Sequence, residues 1–169
     1  MGITNEGQPT EDKVKGLCPS ARKLDPKLGE RKKDGDLVVN CNGEDFFIEV
    51  KKDAWNQTRP QKYITHVGYN TTSGQWFVIA PDDLLKEIVE RSGQHTKDPT
   101  VCVGLGKPND AERWNKYRCD SNQLEKQIHA AIQQGERNTK MKRAARFLRE
   151  DHQRVIERRR SMLREAISQ

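Results

Sequence analysis

The chain has 169 residues, of which 33% are hydrophobic and 33% charged, with a formal net charge of +6. A chain of this length fits one domain with an appendage, and so low an apolar content leaves part of it outside any core. Its longest apolar run is five residues, Trp76 to Ala80, where a membrane-spanning helix needs about 20, so such a span is excluded.

The opening stretch MGITNEGQPTEDK has no apolar segment of the secretory kind. The cysteines, Cys18, Cys41, Cys102 and Cys119, are dispersed and form no CxxC pair. Both features predict a cytoplasmic protein with reduced thiols. Residues 1–33 are polar and weakly patterned, although Val14, Leu17 and Cys18 mark the start of a short helix or strand. Residues 24–36 (LDPKLGERKKDGD) read as a loop. LVVNC (37–41) then reads as a strand, Asn42-Gly43 as a two-residue hairpin turn, and EDFFIEVK (44–51) as the return strand. Pro60, after Thr58, suits the first turn of a helix over about 59–67. TTSG (71–74) is a turn and QWFVIA (75–80) a buried strand. PDDLLKEIVERSG (81–93) is a helix capped by Asp82 or Asp83, and TVCVGL (100–105) a further buried strand. The alternation predicts an α/β fold, a mixed sheet with flanking helices.

Charge is unevenly placed. Residues 1–120 carry 19 basic and 19 acidic side chains, whereas residues 121–169 carry 12 and 6. The C-terminal segment therefore holds the whole excess, which points to an electrostatic partner such as nucleic acid or to a solvated helix. Leu124, Ile128, Ala131 and Ile132 follow helical spacing up to a break at Gly135. A second helical run from about Asn138 carries a row of arginines, including Arg143, Arg146, Arg149, Arg154 and Arg158.

The hairpin carries the candidate chemistry. A two-residue turn sets Cys41 opposite Glu44, Val39 opposite Phe46, Leu37 opposite Ile48, Asp36 opposite Glu49 and Asp34 opposite Lys51. Leu37, Val39, Cys41, Phe46, Ile48 and Val50 then share an apolar face. The other side presents Asp36, Glu49 and Lys51 at its open end. Two carboxylates facing each other at about 5 Å between Cβ atoms repel. A divalent cation offsets that repulsion, and magnesium typically takes one or two carboxylates plus waters and substrate phosphate. A bound ion acidifies its water and stabilises charge on phosphorus. Lys51, two residues past Glu49, points to the same side. The alternative is an ordinary solvated hairpin end, with Asp34 paired to Lys51.

Asp36 in DGDLVV, followed after a gap of twelve residues by Glu49-Val50-Lys51 in FFIEVKK, resembles the motif of the PD-(D/E)XK nuclease superfamily. Gly35 stands where the family pattern has Pro. The resemblance covers about residues 30–105. It implies a restriction-endonuclease-like mixed sheet with an αβββαβ core and a C-terminal basic helical extension. A nuclease core would occupy residues 1–106 and a linker 107–120. Residues 121–169 would form an arm for dimer contact or nucleic-acid grip. The implied activity is Mg²⁺-dependent endonucleolytic hydrolysis of DNA, site-specific or structure-specific, with Mn²⁺ as an alternative ion and a homodimer as the working unit. Asp36, Glu49 and the Val50 carbonyl would hold the metal, and Lys51 would position or activate water. Lys52, Arg59 and Lys62 would hold phosphates, with Gln57 beside them and Gln61 on a metal-bound water. Arg143, Arg146, Arg154 and Arg158 would grip the backbone. Glu11 and Glu30 are candidates for an acidic residue on a first helix. An RNA-cleaving enzyme or interbacterial toxin of the same fold, and a non-catalytic nucleic-acid-binding or assembly protein, stand as alternatives.

Overall fold

The computed structural model describes residues 9–53, 62–87 and 112–168. The chain starts with helix α1 (Thr10–Leu17), whose first turn carries Glu11 and Asp12 at the favourable end of its dipole. Val14 and Cys18, one turn apart, are buried. The short strand β1 (Ala21–Lys23) pairs antiparallel with β2 (Leu37–Cys41), which pairs with β3 (Glu44–Lys52). The β2–β3 register is Leu37↔Ile48 through Cys41↔Glu44, as the two-residue turn predicts. Asn42 and Gly43 both adopt positive φ, 55° and 84°. A tight hairpin turn needs this backbone at both central positions, and Asn-Gly supplies it at little steric cost.

The next strand corrects the expected helix over 59–67. Residues 65–67 open strand β4 (Thr65–Asn70), which runs parallel to β3. Thr65 and Val67 are β-branched and buried, and β4 is held between β3 and β5 (Gln75–Ile79), so pairing on both edges decides its conformation. Turn 71–74 and strand β5 fall where expected. Residues 81–87 form the helical stretch α2. Strand β6 (Arg118–Cys119), inside the stretch read as a linker, pairs with β5. Helices α3 (Leu124–Arg137) and α4 (Thr139–Ser168) follow. The end of the helix expected at 81–93 and the strand expected at 100–105 lie outside the described residues.

The sheet order is β1-β2-β3-β4-β5-β6, antiparallel except at the β3–β4 step. On one face, Val14 and Cys18 of α1 and Leu124, Ile128, Ala131 and Ile132 of α3 pack on Leu37, Val39, Ile48, Val67, Trp76 and Val78. On the other face Val38, His66, Phe77 and Ile79 are also shielded from solvent. Burial on both faces suits a sheet with a parallel step.

Gly135 does not break α3; it lies within the helix, and it is glycine because a Cβ there would lie 2.7 Å from Pro81 Cγ. α3 is thus part of the core, and only α4 projects. Ala145 is its buried anchor, while Phe147, Met162, Leu163 and Ile167 are exposed. Thirty residues give α4 a length of about 45 Å. Among the described residues, no helix is long and apolar enough to cross a membrane.

Candidate active site

The open end of the β2–β3 hairpin depends on a close backbone approach. A Cβ on Gly35 would meet Phe47 Cβ at 2.9 Å and the Ile48 carbonyl at 3.0 Å, so only glycine lets the chain cross β3 there. Regular pairing ends at Leu37. The Asp36 amide donates to the Ile48 carbonyl at 2.8 Å, and its Oδ2 accepts from the Val50 amide at 2.8 Å. The side chain thus continues the ladder where the backbone leaves it. Asp34 lies in a turn whose amide donates to the Arg31 carbonyl, outside the ladder.

Asp36 and Glu49 lie close enough for each carboxyl to shift the other's titration. Burial pushes the Asp36 carboxyl up to about 6, opposed by the Val50 N–H and reinforced by the negative charges of Glu49 and Glu11. Burial also works against the charge of Glu49. The Lys62 ammonium, 2.8 Å from Glu49 Oε2, and a hydrogen bond from Asp36 outweigh it, so Glu49 lies below its ordinary value. The side chains of Glu49 and Lys62 are only 13% and 17% exposed.

His66 stands opposite Glu49 in the parallel register and is 1% exposed. Its Nδ1 lies 2.9 Å from the Ile64 carbonyl, so that nitrogen carries the proton. Burial pushes its pKa down to about 4, against the Ile64 contact and the Glu49 charge; Lys51 and Lys62 add to the depression. The ring is therefore neutral near pH 7. Lys51 shares the face of Glu49 by strand alternation and sits opposite Gly68.

The donor set suits one kind of cation. Among the described residues no trio of His, Cys, Asp or Glu is arranged to hold a metal. Two carboxylates in contact fit a hard ion that keeps most of its waters, as magnesium and manganese do, and do not fit a closed zinc site. The two candidate first-helix acids separate cleanly. Glu11, in the first turn of α1, is near enough for its charge to raise the pKa of Asp36. Glu30 lies elsewhere, gripped by Arg22 at 2.6 and 2.7 Å.

Beside the carboxylates opens a cleft of about 460 Å³ lined by Lys62, Tyr63, Thr139, Lys142, Arg143, Arg146 and Arg149. Tyr63 fixes its geometry: the residue sits at φ 44°, and its hydroxyl donates to the Gly135 carbonyl at 2.8 Å in the last turn of α3. Of the residues expected to bind nucleic acid, Lys62, Arg143 and Arg146 thus come together. Arg154 and Arg158 are exposed farther along α4, and Lys52 lies at the end of β3 on the face opposite Glu49. Gln57, Arg59 and Gln61 lie outside the described residues.

Among the described residues, Ser20 and Cys18 are committed to structure. Ser20 Oγ donates to Glu125 Oε2 at 2.9 Å and lies 2.8 Å from His129 Nε2. Its proton is spent on the carboxylate, so His129 cannot act as its base, and the trio ties β1 to α3. Burial, with the charges of Glu125 and Cys119, pushes the Cys18 thiol up to about 12. Comparison with protein-family models, curated proteins and solved structures finds no match for the chain.

Proposed function

We propose that the chain is a magnesium-dependent endonuclease of restriction-endonuclease-like architecture that hydrolyses phosphodiester bonds in DNA, with Mn²⁺ as an alternative ion. The observation that carries this reading is the pair of carboxylates, Asp36 and Glu49, in contact at the ends of neighbouring strands, with Lys51 on the same face. The order α1, three antiparallel strands, then a parallel β4 is consistent with the αβββαβ arrangement that the motif implies.

The bound ion would supply Lewis acidity and an acidified water. Asp36 and Glu49 would seat it, with the Val50 carbonyl as a third donor. For that, Asp36 gives up its proton, which the positive charge favours despite burial. Lys51 orients the attacking water or neutralises the scissile phosphate. The cleft beside the carboxylates holds the flanking backbone through Lys62, Arg143 and Arg146. Cutting both strands of a duplex requires two such sites, hence a homodimer.

Incubation of supercoiled plasmid with Mg²⁺ tests the reading. The wild type nicks or linearises DNA, whereas Glu49→Ala and Lys51→Ala do not. Cleavage unchanged in both variants contradicts it. The cationic cleft, which does not depend on the carboxylates, favours a non-catalytic nucleic-acid-binding protein as the second reading. On that reading no form cuts DNA or RNA, while DNA binding persists.

A further inference from the structure

Lys62 belongs to two places at once. Its Nζ is 2.8 Å from Glu49 Oε2, and the same side chain lines the cationic cleft. Resting on the metal-site reading above, we propose that the Lys62 ammonium is a displaceable counter-ion. It holds Glu49 until nucleic-acid phosphate in the cleft draws it away, which opens the carboxylate pair to the divalent ion.

Three observations support this. First, an ammonium and a metal ion compete for the same carboxylate. Both are positive and both need the Glu49 oxygens, so each weakens the other's hold there. Second, the cleft attracts what would draw the ammonium away. Among the described residues its lining includes five cationic side chains and no acidic one. Arg143 and Arg149 have no acidic partner among the described residues. Lys142 and Arg146 lean on Glu136 and Glu150, at 2.6 and 3.6 Å, in exposed pairs that are worth little. Lys142, Arg146 and Arg149 form one stripe of α4 about 10 Å long at 1.5 Å per residue, roughly the length of three phosphates of one strand. Third, the residue type fits. Lysine carries a compact charge on a flexible stem, whereas the rigid arginine fork would lock onto Glu49. The hydroxyl of the adjacent Tyr63, which donates to the Gly135 carbonyl in the last turn of α3, fixes the base of that stem.

The consequence is reciprocal linkage: phosphate in the cleft raises metal affinity, and metal raises nucleic-acid affinity by the same factor. The test uses fluorescence anisotropy of a labelled phosphorothioate DNA duplex at constant ionic strength, with and without Mn²⁺. It is paired with calorimetric titration of the protein by Mn²⁺ alone. Mn²⁺ is expected to tighten DNA binding by the wild type about tenfold, within the usual span of such couplings. Lys62→Met, without DNA, is expected to bind Mn²⁺ more tightly than the wild type by a similar factor, and its DNA affinity no longer responds to Mn²⁺. If Lys62→Met fails to fold, the wild-type response decides alone. Mn²⁺ that binds the wild type yet leaves DNA affinity unchanged, or weakens it, overturns the role of Lys62 and leaves the metal site standing. No Mn²⁺ binding with or without DNA overturns both.

Discussion

The two ends of the β2–β3 hairpin use the same chemistry to opposite effect. At the turn end, Arg22 forks onto Glu30 and also reaches Asp45 at 3.2 Å, and Asn40 donates to Asp45 at 2.9 Å. Asp45 is 49% exposed. There the Arg22 hydrogen bonds hold the Glu30 carboxyl down at about 2. At the open end the Lys62 ammonium lies on Glu49, both of them only slightly exposed, and Asp36 is pushed up to about 6. A carboxylate satisfied by a two-pronged arginine, as Glu30 is, is structure. A half-buried carboxylate pair whose Asp36 is pushed toward its neutral form is a place that a positive ligand can occupy.

Breaking the open end should show the largest effect. Glu49→Ala or Lys51→Ala is expected to lower the rate of Mg²⁺-dependent plasmid cleavage by about 10²-fold or more, whereas Arg22→Ala leaves it near the wild-type rate. Gly35→Ala comes next. The added methyl meets the Phe47 Cβ and the Ile48 carbonyl, and such overpacking typically destabilises by about 1–3 kcal/mol. A thermal melt should show it, and cleavage should fall with it because Asp36 is displaced.

Asp36→Asn sharpens the contrast through pH. The Asp36 pKa is raised on folding, so its contribution to stability is present below its ordinary value near 3.8 and is lost as pH rises through about 6. The depressed His66 runs the other way: its contribution is present above 6.5 and is lost as pH falls toward 4. In the metal-free wild type these slopes oppose each other between pH 4 and 6. Asp36→Asn keeps an acceptor for the Val50 amide and removes one slope. Denaturant melts of this variant should show stability rising with pH through that window, and at pH 7 the variant should be more stable than the wild type although inactive. The smallest effect belongs to the turn end. Glu30→Gln should cost little at pH 7. The Glu30 contribution is present above about 4.5 and is lost only as pH falls through about 2, so wild type and variant melts converge in strong acid.

The hairpin was legible because its signals are local. Asn42-Gly43 dictates the turn, and the period-two pattern leaves one register that buries Leu37, Val39 and Ile48 together. The split between α3 and α4 was legible for the same reason, although Gly135 was misread, because its purpose is contact with Pro81, 54 residues earlier. Strand β4 was not legible. Thr58 and Pro60 imitate a helix start, while strand pairing with β3 and β5 depends on partners that no local window contains. With β4 hidden, His66 could not be placed beside Glu49, nor Lys62 recognised as the partner of Glu49 across the crossover. Glu11 could not be told from Glu30 as the first-helix acid for a related reason. α1 spans eight residues with Val14 its one buried position, too short for a periodic signal.

The most direct measurement is the anomalous scattering of a crystal grown with Mn²⁺. The account predicts a peak about 2.0–2.2 Å from carboxylate oxygens of both Asp36 and Glu49, the range of small hard divalent ions, and no such peak in Glu49→Gln. A wild-type crystal with no ion between those side chains, and Lys62 still seated on Glu49 at saturating Mn²⁺ and DNA, would contradict it.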